Sequence, residues 1–160
     1  MPDWISTDLL SFFAFLGAVA AAAAFGGQWG AGPWYNALSK PSWTPPNWLF
    51  PVAWSVLYIM VAVAGWLVWR TPHPDQPLLL GLWAAQLFFN ALWSYIFFGR
   101  KNLGLALAEL GLLWLSIAAF TVLAWPVEPT AALLFVPYLV WVSYAGALNA
   151  SIWHRNAVQG

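Results

Sequence analysis

The sequence predicts an all-α integral membrane protein: a compact bundle of five transmembrane helices, with a long aromatic, proline-rich loop between the first and the second. Composition is the first reason. Of the 160 residues, 62% are hydrophobic and only 6% are charged, with a formal net charge of zero, against roughly 25% charged residues in ordinary soluble domains. No soluble fold of this size could hide so much apolar surface. Spacing is the second reason. Apolar runs of spanning length occur at about 5–26, 49–69, 78–98, 103–125 and 131–153, each of about 20 residues, enough to cross a hydrocarbon core of about 30 Å. The last three connections are short, two of them punctuated by Pro72, Pro74 and Pro77 and by Pro126 and Pro129, which makes successive helices antiparallel neighbours. The whole chain, 1–160, therefore reads as one membrane domain.

The first span could be taken for a signal peptide, but a signal needs a positively charged start. Here the start carries Asp3 and Asp8 and no Lys or Arg, so the span reads as a retained helix. Toward its end come Gly17, Ala18, the run Ala20 to Ala24, and Gly26. Small residues let helix backbones approach closely, or leave room for a ligand. The connection 27–48 then gathers tryptophan, tyrosine and proline around one cation, Lys40. Pro41, Pro45 and Pro46 fix their own φ and restrict the residue before them, which predicts a stiff, extended segment. A long connection of this kind is uncommon unless it is functional. It is expected to be the lid of a pocket among the helices.

In the third span Trp83, Gln86, Asn90, Trp93 and Phe97 recur at spacings of three and four, on one helix face. Amides cannot face lipid cheaply, so this stripe points into the bundle, as interhelical glue or as a ligand anchor. Apart from Asp8 in the first turn of the first span, Glu109 is the one carboxylate within a span, and it is expected to reach the interface and Arg100 or Lys101. Counted from the side of the first loop at 1.5 Å per residue, Trp54, Tyr58, Asn90, Trp93, Trp141 and Ala145 all fall about 8 to 18 Å deep. Aromatics and one amide thus share a slab beneath the lid, which makes that slab the default site for a ligand. Trp4, Trp69, Trp125 and Trp153 are expected in the interfacial belts.

The first loop, the third loop and the C-terminus hold Lys40, Arg100, Lys101 and Arg155, whereas the other side holds only Arg70. The positive-inside rule then places the lid and the C-terminus in the cytoplasm and the N-terminus outside. Cysteine is absent, which removes disulfides, thiolate metal sites and a cysteine nucleophile. No basic tract supports nucleic-acid binding. No hydrolytic triad, metal cluster or phosphate loop is evident, so no metal and no cofactor are expected. His73 and His154 fall outside the slab, which leaves a haem iron without an axial ligand. Gly81 and Ala85 form a small-xxx-small pair suited to helix contact, between copies or within one.

The run Trp34, Tyr35, Leu38, Lys40, Pro41, Trp43, Pro45, Pro46, Trp48, Phe50, Trp54, Leu57, Tyr58 resembles the tryptophan-rich sensory protein, or translocator protein, family, also called peripheral-type benzodiazepine receptors. Ala85, Gln86, Leu87, Asn90, Trp93, Phe97 and Phe98 extend the likeness, as do Pro137, Tyr138, Leu139, Trp141, Leu148 and Asn149. The resemblance implies a five-helix homodimer that binds porphyrins such as protoporphyrin IX, sterols in some members, and benzodiazepine-site ligands. It makes Trp54, Asn90, Trp141 and Ala145 pocket residues, with Tyr35 and Trp43 from the lid. One departure stands out: Ala150 and Ser151 occupy the place where the proposed sterol motif needs a tyrosine before Arg155.

The leading expectation is a membrane receptor or carrier for tetrapyrroles in sensing, regulation or transport, with porphyrin a ligand rather than a cofactor. Flat macrocycles suit stacked indoles, and Lys40 or a loop amide could meet a propionate. An alternative is light-dependent porphyrin breakdown, with Trp54 and Trp141 as redox participants. Another is an ion-coupled transporter built on Glu109.

Overall fold

The computed structural model describes residues 3–157, with side chains from Thr7 onward. Along the chain run α1 (Asp3–Gly27), α2 (Pro33–Ala37), α3 (Leu49–Arg70), α4 (Gln76–Ser94), α5 (Leu103–Ala124) and α6 (Pro129–Ala157); α4 continues into a π-helical turn, Tyr95–Gly99. Among the described residues, α1, α3, α4 with its π turn, α5 and α6 are long and apolar enough to cross a membrane. The fold is therefore the all-α, five-span membrane bundle that the composition called for.

Local chemistry sets the ends. Asn102 accepts a hydrogen bond from the backbone N–H of Leu105 at 3.0 Å and starts α5. Gln76 donates its carboxamide to the carbonyls of Val68, Trp69 and Thr71, satisfying the free acceptors at the end of α3. α6 begins at Pro129 and ends at Ala157, longer at both ends than its apolar run. Its added last turn holds His154 and Arg155, and the Arg155 cation suits a helix C-terminus.

The spans close into a ring. α1 packs on α3 and α4, α3 on α6, α6 on α5, and α5 on α4. In the half away from the lid the ring is filled by buried Leu79, Ile117, Phe120 and Phe135, the two phenyl rings 4.0 Å apart between centroids. Gly65 permits the approach of α4 there: a Cβ on it would lie 2.5 Å from the Trp83 indole. That indole donates to the Val61 carbonyl at 2.8 Å, so it cannot swing away without losing a buried bond. Asp8 and Arg70 pair at 3.1 Å and tie α1 to α3 on the same side. Trp69, Trp125 and Trp153 are exposed, as belt residues should be; Trp4 and Asp3 lie outside the described side chains.

The connection 27–48 departs from the extended form expected of it. Pro33 occupies the first turn of α2, where a missing N–H costs nothing. The Lys40 ammonium folds back and donates to the carbonyls of Tyr35, Asn36 and Leu38 at 2.7, 3.1 and 3.1 Å. Three carbonyls left free by so short a helix outcompete solvent for that one cation. The lid is then tied to α6: Asn156 and the backbone of Ser39 exchange two hydrogen bonds at 3.1 Å, and the Tyr144 hydroxyl donates to the Trp43 carbonyl at 2.8 Å.

Candidate ligand site

Under the lid lies a cavity of about 520 Å³, within the size range of small-molecule sites. α3 contributes Trp54 and Tyr58, whose rings lie 5.3 Å apart and tilted by 30°. α6 sets Trp141 against Trp54, edge to face, with centroids 6.4 Å apart. Ala145, one turn further along α6, leaves space that a larger side chain would fill. α4 adds Trp93, and its π turn adds Phe97 and Phe98 together. The turn closes with the Arg100 N–H donating to the Tyr95 carbonyl at 2.8 Å. Its wider winding brings two adjacent phenylalanines to one wall, which an α-helix would set apart. α2 brings buried Tyr35 over the top. Burial, with the neighbouring Tyr144 adding to it, pushes the Tyr35 hydroxyl above its ordinary range, so it meets a ligand as a neutral group.

The walls are largely apolar. Trp93, Trp141 and Asn149 line the cavity, while the indole N–H of each tryptophan and the carbonyl oxygen of Asn149 are buried without a partner. Gly27, Gly30 and Ala31 on one side, and Asn47, Pro51 and Ser55 on the other, both line the cavity and are exposed. The cavity therefore opens sideways between the end of α1 and the start of α3.

Residues 11–154 match the model of the TspO/MBR family. The chain belongs to that family. It is 47% identical over 151 residues to protein CrtK of Rhodobacter capsulatus, covering 93% of this chain and 94% of that one. The tryptophan-rich sensory protein of Cereibacter sphaeroides is 39% identical over 152 residues, 95% of either chain. The human translocator protein is 40% identical over 128 residues, covering 77% of this chain and 75% of its own.

Of the TspO/MBR positions singled out in the sequence, Tyr35, Trp54, Tyr58, Trp93, Trp141 and Ala145 line the cavity. Asn90, Gln86 and Trp43 do not. Asn90 stands one layer behind the wall: its carbonyl accepts from the Tyr58 hydroxyl at 2.8 Å, and its amide donates to the Tyr138 hydroxyl at 3.2 Å. It braces Tyr58 from behind and is not itself part of the wall. Gln86 is fully buried and donates to the Trp83 carbonyl at 2.8 Å. Trp43 flanks a separate shallow groove on the outer face of α6, where Trp141 forms the partition between groove and cavity.

Two charged side chains fall elsewhere than expected. Lys40 is spent on the lid's own carbonyls, so it offers no free cation to a propionate. Glu109 does not reach Arg100 or Lys101: it is buried and neither carboxyl oxygen has a partner. The cause is rotational. Glu109 shares the inward stripe of α5 with Ala106, Leu113 and Ser116, while Arg100 and Lys101 are exposed beyond the start of that helix.

Sequence reading missed Trp29, Phe50, Phe98, Leu148, Asn149 and Ile152 as cavity walls. Asn149 carried the signal already used for Asn90, an amide within a span. Trp141, Ala145, Leu148 and Ile152 step by four, three and four, so they share a helix face. Trp29 carried no signal, because the glycine-rich turn holding it has no periodicity.

Proposed function

We propose that this TspO/MBR protein is a membrane receptor or carrier that binds tetrapyrroles of the protoporphyrin type, and related hydrophobic ligands, for sensing, regulation or transport. The observation that carries the reading is the indole-walled cavity beneath the lid. Flat, largely apolar macrocycles gain from faces and edges such as those of Trp54 and Trp141, and the lateral opening gives a membrane-dissolved ligand a way in. The names of the relatives, a sensory protein and a translocator, fit a ligand-binding role. Protoporphyrin IX should quench tryptophan fluorescence saturably in the wild type. The Trp54→Leu/Trp141→Leu double variant should bind at least about tenfold more weakly. Unsaturable quenching of the wild type would refute the reading.

A second reading is favoured by one distance, the 6.4 Å between Trp54 and Trp141: bound porphyrin is broken down in light, with these indoles as redox participants. Illuminating the complex separates the two. A product lost in Trp54→Phe and Trp141→Phe supports breakdown, and unchanged pigment supports binding alone.

The charge bias supports a cytoplasmic lid and C-terminus. The chain lacks cysteine, so Ser42→Cys on the exposed lid tests this directly: a membrane-impermeant maleimide should label it in inverted vesicles and not in intact cells. A homodimer fits both the family and the open surface at Gly81, where a Cβ would meet nothing within 4 Å. Lipid-phase crosslinking that survives in Gly81→Leu would remove that contact from the account.

A further inference from the structure

Trp141 is held differently from Trp83. The Trp83 ring is pinned by its bond to the Val61 carbonyl at 2.8 Å, whereas the Trp141 N–H is buried and has no partner. Ring contacts surround Trp141 instead, with centroids of Phe50 at 6.0 Å, Trp54 at 6.4 Å and Tyr144 at 5.9 Å. Turning this indole therefore breaks no hydrogen bond of its own. One turn before it stands Pro137, inside α6. Proline has no N–H for the carbonyl four residues back, so the turn leading up to Trp141 lacks one of the bonds that stiffen a helix. Tyr144 on the other side is fixed, its hydroxyl donating to the Trp43 carbonyl of the lid at 2.8 Å.

This loosely held ring is a wall of two hollows at once, the cavity of about 520 Å³ and the groove of about 340 Å³ on the outer face of α6. Trp43 and Pro45 of the lid, Leu49 of α3, and Pro137 and Val140 of α6 bound the groove. Val140 is 65% exposed, so the groove opens to lipid. Because α3 packs between α1 and α6, the cavity's opening beside α1 and the groove beside α6 lie on the two flanks of the start of α3. We propose that the groove is a second site for the ligand of the cavity, joined to it when the Trp141 ring turns aside. Its occupant is the same flat, hydrophobic molecule, since whatever passes the shared wall comes from the cavity. Uptake beside α1 and release beside α6 are then separate steps, which a carrier needs and a simple receptor does not. This rests on the reading of the cavity as a tetrapyrrole site and adds a route through it.

The test loads the full chain in detergent with protoporphyrin IX, dilutes it into an excess of pigment-free micelles and follows release by the recovery of tryptophan fluorescence. Gly30→Phe narrows the opening beside α1, where a Cβ on Gly30 meets nothing within 4 Å and the new ring grows into open space. Val140→Phe fills the groove. Parallel routes add, so either substitution alone should slow release by less than about tenfold, and the two together by about a hundredfold or more. Were the opening beside α1 the one route, Gly30→Phe alone would hold the pigment as long as the double variant does, and that result overturns the gate. A measurement on the wild type guards against variants that misfold. With fluorotryptophan incorporated and the resonances assigned by single Trp→Phe substitutions, the Trp141 fluorine should show microsecond-to-millisecond exchange between two environments, and the Trp83 fluorine none. Equal rigidity of the two rings also overturns the gate. Either failure leaves the tetrapyrrole reading standing, whereas a wild type that takes up no pigment overturns both.

Discussion

Gly65 and Glu109 illustrate how far single positions decide this bundle. Gly65→Ala places a methyl 2.5 Å from the Trp83 indole and 2.8 Å from the Phe15 ring, with Trp83 held by its bond to Val61. A loss of about 1 to 3 kcal/mol is expected, read as a lower unfolding midpoint in a mild detergent. Glu109→Met should act in the opposite sense. It removes two buried carboxyl oxygens that have no partner and keeps a chain of similar length, so stability should rise by about 1 to 3 kcal/mol. Tyr35 supplies a pH dependence. Its hydroxyl titrates above its ordinary value because it is buried and because Tyr144 is near. The neutral form is thus favoured by folding, and that stabilisation is complete below the unfolded value of about 10. It is lost as pH rises through the folded value, so thermal melts from pH 9 upward should fall less steeply in Tyr35→Phe than in the wild type. Of these three sites Gly65 carried no signal in the sequence, whereas Tyr35 announced itself through the aromatic run it belongs to. Glu109 was legible as a lone carboxylate, but which way it faced depended on the rotation of α5 against its neighbours.

Among the elements, the lid is the part whose character was read least well. Its prolines suggested an extended strap; it folds instead around one short helix capped by the Lys40 ammonium. Proline content restricts φ but is silent on where a neighbouring lysine will find acceptors. Lys40→Met should therefore loosen α2 without unfolding the spans: amide exchange in 33–40 should speed up by about tenfold or more, the effect of losing about 1 to 3 kcal/mol of charge-assisted bonds. Protection in α5 and α6 should stay unchanged. The π turn at Tyr95–Gly99 was likewise invisible, since a π turn differs from an α-helix by one residue of winding and leaves hydropathy untouched. Its effect on the site is large, because it brings Phe97 and Phe98 to one wall. Gly99 then admits Trp29, whose ring atoms lie 2.8 and 3.0 Å from where a Cβ would sit.

For the molecule as a whole, the ring of spans leaves α1 least covered, with 11% of its most apolar window buried against 33–39% in the others. The opening of the cavity lies at the end of that least covered helix. Ala145→Phe should fill the hollow from the opposite wall and abolish pigment quenching while leaving the unfolding midpoint within a few degrees of wild type, a pair of readings that separates a blocked site from a broken fold. Composition and periodicity alone determined that this chain is a five-span helical membrane protein with an aromatic layer under its first long loop, because insertion in lipid demands long apolar runs and a helical face repeats every three or four residues. Only the tertiary structure decided that Asn90 braces Tyr58 from behind, that Lys40 serves the lid, that Glu109 points inward and that Asn149 is among the residues lining the cavity. Periodicity gives the face of a helix a residue occupies, and the neighbour that face meets is set by how the helices pack around one another.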